Sequence, residues 1–154
     1  MCERLQGVKD FNIAFKHPVF ESPVKVVDVD YIKKRILFIQ EEIKELLEAA
    51  EANDIVGVTD ALLDIEYFNS GTVFGVGVCK EFIEGFKIVQ ACNMAKLCSS
   101  LDELNETIVK YENAGFTTKY AEVLPGKYAV YNAETGKVMK SISYVAPNLA
   151  QLFK

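Results

Sequence analysis

Residues 35–71, R-I-L-F-I-Q-E-E-I-K-E-L-L-E-A-A-E-A-N-D-I-V-G-V-T-D-A-L-L-D-I-E-Y-F-N-S-G, decide the fold. The first half continues a pattern begun at Ile32: Ile32, Ile36, Ile39, Ile43, Leu46, Leu47 and Ala50 recur at helical spacing and fall on one stripe. Ala, Leu, Glu and Lys, all good helix formers, fill the rest. Asp28 or Asp30 supplies an N-cap, so a helix is predicted from there to about Asn53. Asn53-Asp54 marks a tight connection, and residues 55–78 read as a second long helix, nearly apolar all round. Such a helix is expected to be buried, at the centre of a bundle or in an oligomer interface.

Outward from this pair, residues 3–15 suit a short helix with Leu5, Val8, Phe11 (or Asn12) and Phe15 near one face. Pro18 and Pro23 make the following segment a loop. A third long helix is predicted over about 80–97, and Ser100 with Glu103 forms a capping box before a helix near 101–113 that Gly115 ends. The period then changes to two. KYAEVL, KYAVYN and KVMKSIS alternate like strands, with turns at Pro125-Gly126 and Ala133–Gly136, and a helical turn follows Pro147. The expected fold is mainly α, a helical bundle in a single domain spanning 1–154, with 117–154 a small extension built on a β-hairpin or meander.

The chain has 154 residues, half of them hydrophobic, and a net charge of -5. It is globular rather than disordered. The negative charge argues against a nucleic-acid polymer as partner. The four cysteines form no C-x-x-C pair and there is one histidine, His17, so a zinc site is not expected and reduced thiols are. The N-terminus has no signal-peptide core, and Asp60, Asp64 and Glu66 interrupt the most apolar stretch, so no membrane is expected and the chain is read as cytoplasmic.

The carboxylates carry the chemistry. Glu42 and Glu45 flank the apolar stripe of the first long helix, and Glu41 lies one i+4 step from Glu45. Asp60 and Asp64 lie about 40° apart on the next helix, on the side that also carries Gly57, Tyr67, Gly71 and Gly75. Carboxylates in an apolar helix must be paired, protonated or bound to a cation. A short connection makes the helices antiparallel, which brings residues 42–45 and 60–64 to similar heights with almost no basic residue among them. Oxygen-only donors favour Mg²⁺, Mn²⁺ or Ca²⁺. The blander readings are a solvated glutamate face and a capping or hydrogen-bonded aspartate.

E-E-I-K-E (41–45) followed by D-A-L-L-D-I-E-Y-F-N-S-G (60–71) resembles the all-α NTP pyrophosphohydrolases, the superfamily of MazG-like and phosphoribosyl-ATP pyrophosphohydrolase-like proteins. The family pattern is E-E-x-x-E on one helix and E-x-x-D on the next. F-K-I-V-Q-A-C-N-M-A-K (86–96) is similar to a family segment ending N-M-(S/A)-K, and G-K-V-M-K-S-I-S-Y-V-A-P-N-L (136–149) to a closing motif with Lys, Tyr and Pro. V-K-D-F-N-I-A-F (8–15) and R-I-L-F-I-Q-E-E (35–42) also fit, so the likeness covers most of the chain in order. Two departures stand out: Ala61 takes the place of the E in E-x-x-D, giving D-x-x-x-D, and Asn12 stands where relatives often have histidine.

The resemblance implies Mg²⁺-dependent hydrolysis (Mn²⁺ a possible substitute) of a nucleoside triphosphate between the α and β phosphates. It implies metal ligation by Glu41, Glu42, Glu45, Asp60 and Asp64, with Glu41, Glu42, Glu45 and Asp64 catalytic. Substrate contacts are expected from Asn93, Lys96, Lys140, Arg35 and Tyr144. Taken alone, Lys96 and Lys140 read equally well as solvated cations, Tyr67 and Phe68 as core, and His17 as incidental. The expected assembly is a homodimer or a dimer of dimers. Phosphoribosyl-ATP hydrolysis and a non-enzymatic acidic binding module are the competing readings.

Overall fold

A computed structural model describes residues 3–154; Cys2, counted above among the reduced thiols, lies outside them. The chain divides into two compact units, residues 1–82 and 83–154, the second beginning ahead of the 117–154 extension.

The first unit is built on three helices: α1 (Glu3–Ala14), α2 (Val29–Glu51) and α3 (Ile55–Gly75). The Asp28 carboxylate accepts from the Asp30 and Tyr31 amides and starts α2; Asp54 does the same for Val56 and Gly57 and starts α3. Between the helices Asn53 adopts φ 55, a left-handed conformation that asparagine tolerates better than most residues. Three residues separate the two helices, so α2 and α3 run antiparallel and pack along their length. The glycines of α3 make close packing possible. A Cβ at Gly71 would stand 2.7 Å from the Arg35 guanidinium, and one at Gly75 would overlap the Tyr31 hydroxyl.

Helix α1 packs on α3 through Leu5, Val8 and Asn12, all buried, whereas Phe15 is exposed; the apolar face turns through Asn12 rather than along the aromatic residues. Ala61, Val73 and Phe74 complete this core. The expectation that residues 55–78 are buried on all sides holds only for the C-terminal half of α3 within one chain. Ser70 to Gly75 lies inside, while Ile55, Val56, Leu62 and Leu63 are exposed. The α2 stripe behaves likewise, with Ile36, Ile43 and Leu47 about half exposed and no residue of α2 buried.

Helix α4 (Cys79–Met94) runs through the unit boundary. The second unit contains α5 (Leu101–Asn113), the antiparallel strands β1 (Thr118–Leu124) and β2 (Lys127–Asn132), and a 3-10 turn at Leu149–Phe153. Its core is Cys98, Leu104 and Val130, with Ile108, Tyr128 and Met139 packed around them. The capping box forms at α5: Ser100 Oγ accepts from the Glu103 amide, and Glu103 Oε2 accepts from the Ser99 amide at 2.7 Å. The expected third strand, KVMKSIS, is reduced to a single bridge between Val138 and Tyr131. The Tyr111 hydroxyl bonds both the amide and the carbonyl of Lys140, which withdraws that backbone from a ladder. Among the described residues no helix is long and apolar enough to cross a membrane.

Candidate active site

The α2–α3 connection sets the height of the carboxylates. Glu42 stands eleven residues before Asn53 and Asp64 eleven after it, so the antiparallel helices carry them to the same level. Glu45 and Asp60 stand eight before and seven after, nearer the turn. Gly57 lies at the base of the pair, where its bare Cα faces Ala49 of α2; a Cβ there would come within 3.0 Å of the Ala49 methyl.

Glu42 is half-buried, and Glu41, Glu45, Asp60 and Asp64 are exposed. Burial is the largest influence on the Glu42 carboxyl and pushes its pKa up; Glu45, Asp64, Glu41 and Asp60 each push it further in the same direction. The Glu42 carboxyl therefore senses all four other acids, from both helices. Among the described residues, no Lys or Arg forms an ion pair with any of the five; Lys44, in their midst, pairs with Glu48 at 3.3 Å. The donor set is all oxygen and all anionic, which suits Mg²⁺ or Mn²⁺. Among the described residues no three His, Cys, Asp or Glu side chains, as they stand, close on one point tightly enough to hold an ion.

Arg35, expected to meet substrate, is turned onto α3. Its Nε donates to Thr72 Oγ1 at 3.0 Å, its Nη2 donates to the Phe68 carbonyl, and the guanidinium lies 5.0 Å from the centre of the Phe68 ring. Burial pulls its pKa below the ordinary arginine range, partly offset by Tyr31. Phe68 also stacks with Phe38 at 5.2 Å, and Tyr67 meets Phe11 edge-on at 5.5 Å. Both aromatics are thus engaged in packing. His17 lies 6.1 Å from Phe11, ring centre to ring centre, in a stacked arrangement. Asn12, the departure from the family histidine, is buried with its Nδ2 donating to the Gly71 carbonyl at 3.4 Å.

The other expected substrate contacts lie in the second unit and fall into two pairs. Lys96 Nζ donates to Asn93 Oδ1 at 2.8 Å, and Lys140 Nζ stands 4.7 Å from the centre of the Tyr144 ring. The buried Ser141 hydroxyl donates to the Ala95 carbonyl at 3.2 Å and joins the two motif segments. Beside the first pair opens a cavity of about 450 Å³ walled by Met94, Ala95, Leu97 and Leu124, with Glu103, Lys127, Ser99 and Ser143 at its polar end.

Sequence reasoning did not single out Thr72 or Tyr31, whose hydroxyls meet Arg35 and the Gly71 carbonyl. The available signal was spacing: Thr72 lies two helical steps of four beyond Asp64, on the side that faces α2.

The family model described as phosphoribosyl-ATP pyrophosphohydrolase matches residues 8–93, a span that holds the second half of α1, all of α2 and α3, and all five carboxylates. A relative described as "Uncharacterized protein L479", from Acanthamoeba polyphaga mimivirus, is 24% identical, with the alignment covering 97% of this chain and 95% of the relative.

Proposed function

The chain belongs to the phosphoribosyl-ATP pyrophosphohydrolase family, within the all-α NTP pyrophosphohydrolase superfamily, and from that premise we propose that it is a Mg²⁺-dependent enzyme hydrolysing nucleoside triphosphates between the α and β phosphates. Water and a (deoxy)nucleoside triphosphate would give the monophosphate and pyrophosphate. The observation that carries this reading is the Glu42 carboxyl, pressed by four other carboxylates from two antiparallel helices, with no Lys or Arg among the described residues ion-paired to any of the five.

Glu41, Glu42, Glu45, Asp60 and Asp64 would hold the metal. When bound, a divalent ion would polarise the phosphate oxygens and lower the pKa of a water. The exposed acids leave room for a substrate phosphate to complete the metal's shell. A glutamate of the E-E-x-x-E set takes the proton released by the attacking water. Asn93, Lys96, Lys140 and Tyr144 are proposed to contact substrate, the two ammonium groups offsetting phosphate charge. The half-exposed stripe of Ile36, Ile43 and Leu47 with Leu62 and Leu63 supports a homodimer or a dimer of dimers as the working assembly.

The test is to incubate the purified protein with Mg²⁺ and each common NTP and dNTP, measuring pyrophosphate and orthophosphate separately. Pyrophosphate with monophosphate, abolished by Glu42→Gln, is the expected result. Orthophosphate alone would sink α–β cleavage. The family description favours a second substrate, phosphoribosyl-ATP, which belongs in the same panel.

A further inference from the structure

Two rigid contacts bracket the carboxylates along the α2–α3 pair. One is the connection, where the Asn53 turn and the Asp54 cap tie the bottom of the two helices together and Gly57 lets α3 lie against Ala49. The other is Arg35. It stands seven residues, two turns, before Glu42 on α2, and its partners Phe68 and Thr72 stand four and eight residues after Asp64 on α3. Around their helices Arg35 lies about 20° from Glu42, and Phe68 and Thr72 about 40° and 80° from Asp64. Between these contacts the packed helices carry five like charges that repel one another. At the level of Glu42 one turn of slip would be about 5.4 Å, more than twice a metal–oxygen distance.

We propose that Arg35 is a positioning residue: by gripping the Phe68 carbonyl and the Thr72 hydroxyl it fixes the height and rotation of Glu41, Glu42 and Glu45 against Asp60 and Asp64, and so makes one divalent-cation site of two acidic helix faces. The guanidinium suits this role better than an ammonium, because its planar fork makes two directed bonds at once while its face lies on the Phe68 ring. Phe38, stacked on Phe68 at 5.2 Å, helps hold that ring in place. Gly71 keeps the approach open, since a side chain there would meet the guanidinium at 2.7 Å. Both bonds to α3 use the fork for holding rather than for substrate. This inference rests on the proposed metal site, and it differs from direct phosphate contact by Arg35 in what a variant changes.

The test is calorimetric titration of the full chain with Mn²⁺, without nucleotide, for wild type, Arg35→Met, Arg35→Lys and Thr72→Val. Circular dichroism melting checks that each is folded. The expected result is a loss of Mn²⁺ affinity of roughly 10-fold or more in Arg35→Met, the scale seen when groups that orient metal ligands are removed. Arg35→Lys should fare little better, because charge without the fork does not fix rotation. Thr72→Val should show a smaller loss in the same direction. At saturating Mn²⁺, kcat should fall in Arg35→Met while the nucleotide KM stays within about twofold.

Unchanged Mn²⁺ affinity with a raised nucleotide KM would overturn the proposal in favour of substrate contact. Unchanged affinity with only a lowered melting temperature would overturn it in favour of a purely structural bond. If Arg35→Met does not fold, Thr72→Val decides by the same criterion. Absence of saturable Mn²⁺ binding in wild type would overturn the metal-site reading itself, and that result is separable from every variant outcome.

Discussion

The Nε of Arg35 and the Oγ1 of Thr72 are 3.0 Å apart, and this bond links a residue seven before Glu42 to one eight after Asp64. The Thr72 hydroxyl donates in turn to the Phe68 carbonyl at 2.9 Å, the same oxygen that accepts from Arg35 Nη2. A threonine back-bonded to its own helix is a poor helix former on its own. Here it presents a hydroxyl oxygen of fixed direction to the neighbouring helix. The helices that carry the acids of the candidate site are thus joined by a polar contact two turns from Glu42.

The glycines of α3 supply a direct check on this packing. Gly75→Ala would drive a methyl into the Tyr31 hydroxyl and ring, within 2.7 Å of its Cε1. Overpacking of this kind costs about 1–3 kcal/mol. The expected outcome in urea unfolding is a loss in that range for Gly75→Ala. Most of it should disappear in the double variant with Tyr31→Ala, measured against Tyr31→Ala alone. Additive effects of the two changes would mean that the helices do not meet at this point.

The connection between α2 and α3 makes a second prediction. Asp54 satisfies two amides at the start of α3 and follows a residue with φ 55. Asp54→Ala should cost about 1 kcal/mol, the usual value of an N-cap. Asn53→Gly should be neutral or stabilising, and Asn53→Val destabilising, because a β-branched residue resists positive φ. Thermal melts of the three variants rank these effects; equal stability of Asn53→Gly and Asn53→Val would contradict the left-handed turn.

Much of this was legible in the sequence, and for identifiable reasons. Asp28, Asp54 and the Ser100–Glu103 box are local signals whose partners lie within four residues, so they are read without knowing the fold. Matching heights of residues 42–45 and 60–64 follow from one short connection. What was not legible depends on distant groups. The alternation in KVMKSIS suggests a strand, but the Tyr111 hydroxyl, 29 residues away, captures the Lys140 backbone. The resemblance suggests substrate contact by Arg35, and its bonds to the Phe68 carbonyl and the Thr72 hydroxyl, more than 30 residues on, are not written in its local sequence. A hydrophobic stripe likewise says that α2 must cover its apolar face, without saying that among the described residues Ile36, Ile43 and Leu47 stay about half exposed.

In the second unit, Glu103 ties stability to pH. Burial alone would raise its pKa; the Ser99 amide, the Ser143 and Ser141 hydroxyls and the Lys127 ammonium outweigh burial and hold it below the ordinary glutamate range. A depressed carboxyl pKa contributes stability that is complete above the unfolded value, about 4.3, and is lost as pH falls from there through the folded value. The expected outcome is that Glu103→Gln lowers the melting temperature near pH 7 and makes it fall less steeply than wild type below about pH 4.3. Parallel curves for the two proteins would show that Glu103 does not titrate with folding.

The carboxylate cluster itself predicts a crossing. Without metal, Glu42 is repelled by Glu45, Asp64, Glu41 and Asp60 and is partly withdrawn from water, so removing its charge should relieve the fold. Burial and repulsion both disfavour the Glu42 charge, so Glu42→Gln should melt higher than wild type in chelator. With Mg²⁺ at about 100 times its dissociation constant, a bound ion adds about 2.7 kcal/mol to a protein that holds it only when folded. Wild type should gain that increment and Glu42→Gln should not, so their order of stability reverses between chelator and Mg²⁺. Asp64→Asn, at the same height on the other helix, should likewise lose the Mg²⁺ increment. Melting curves in both conditions check this, and a Mg²⁺ increment that survives either substitution would place the ion elsewhere in the molecule.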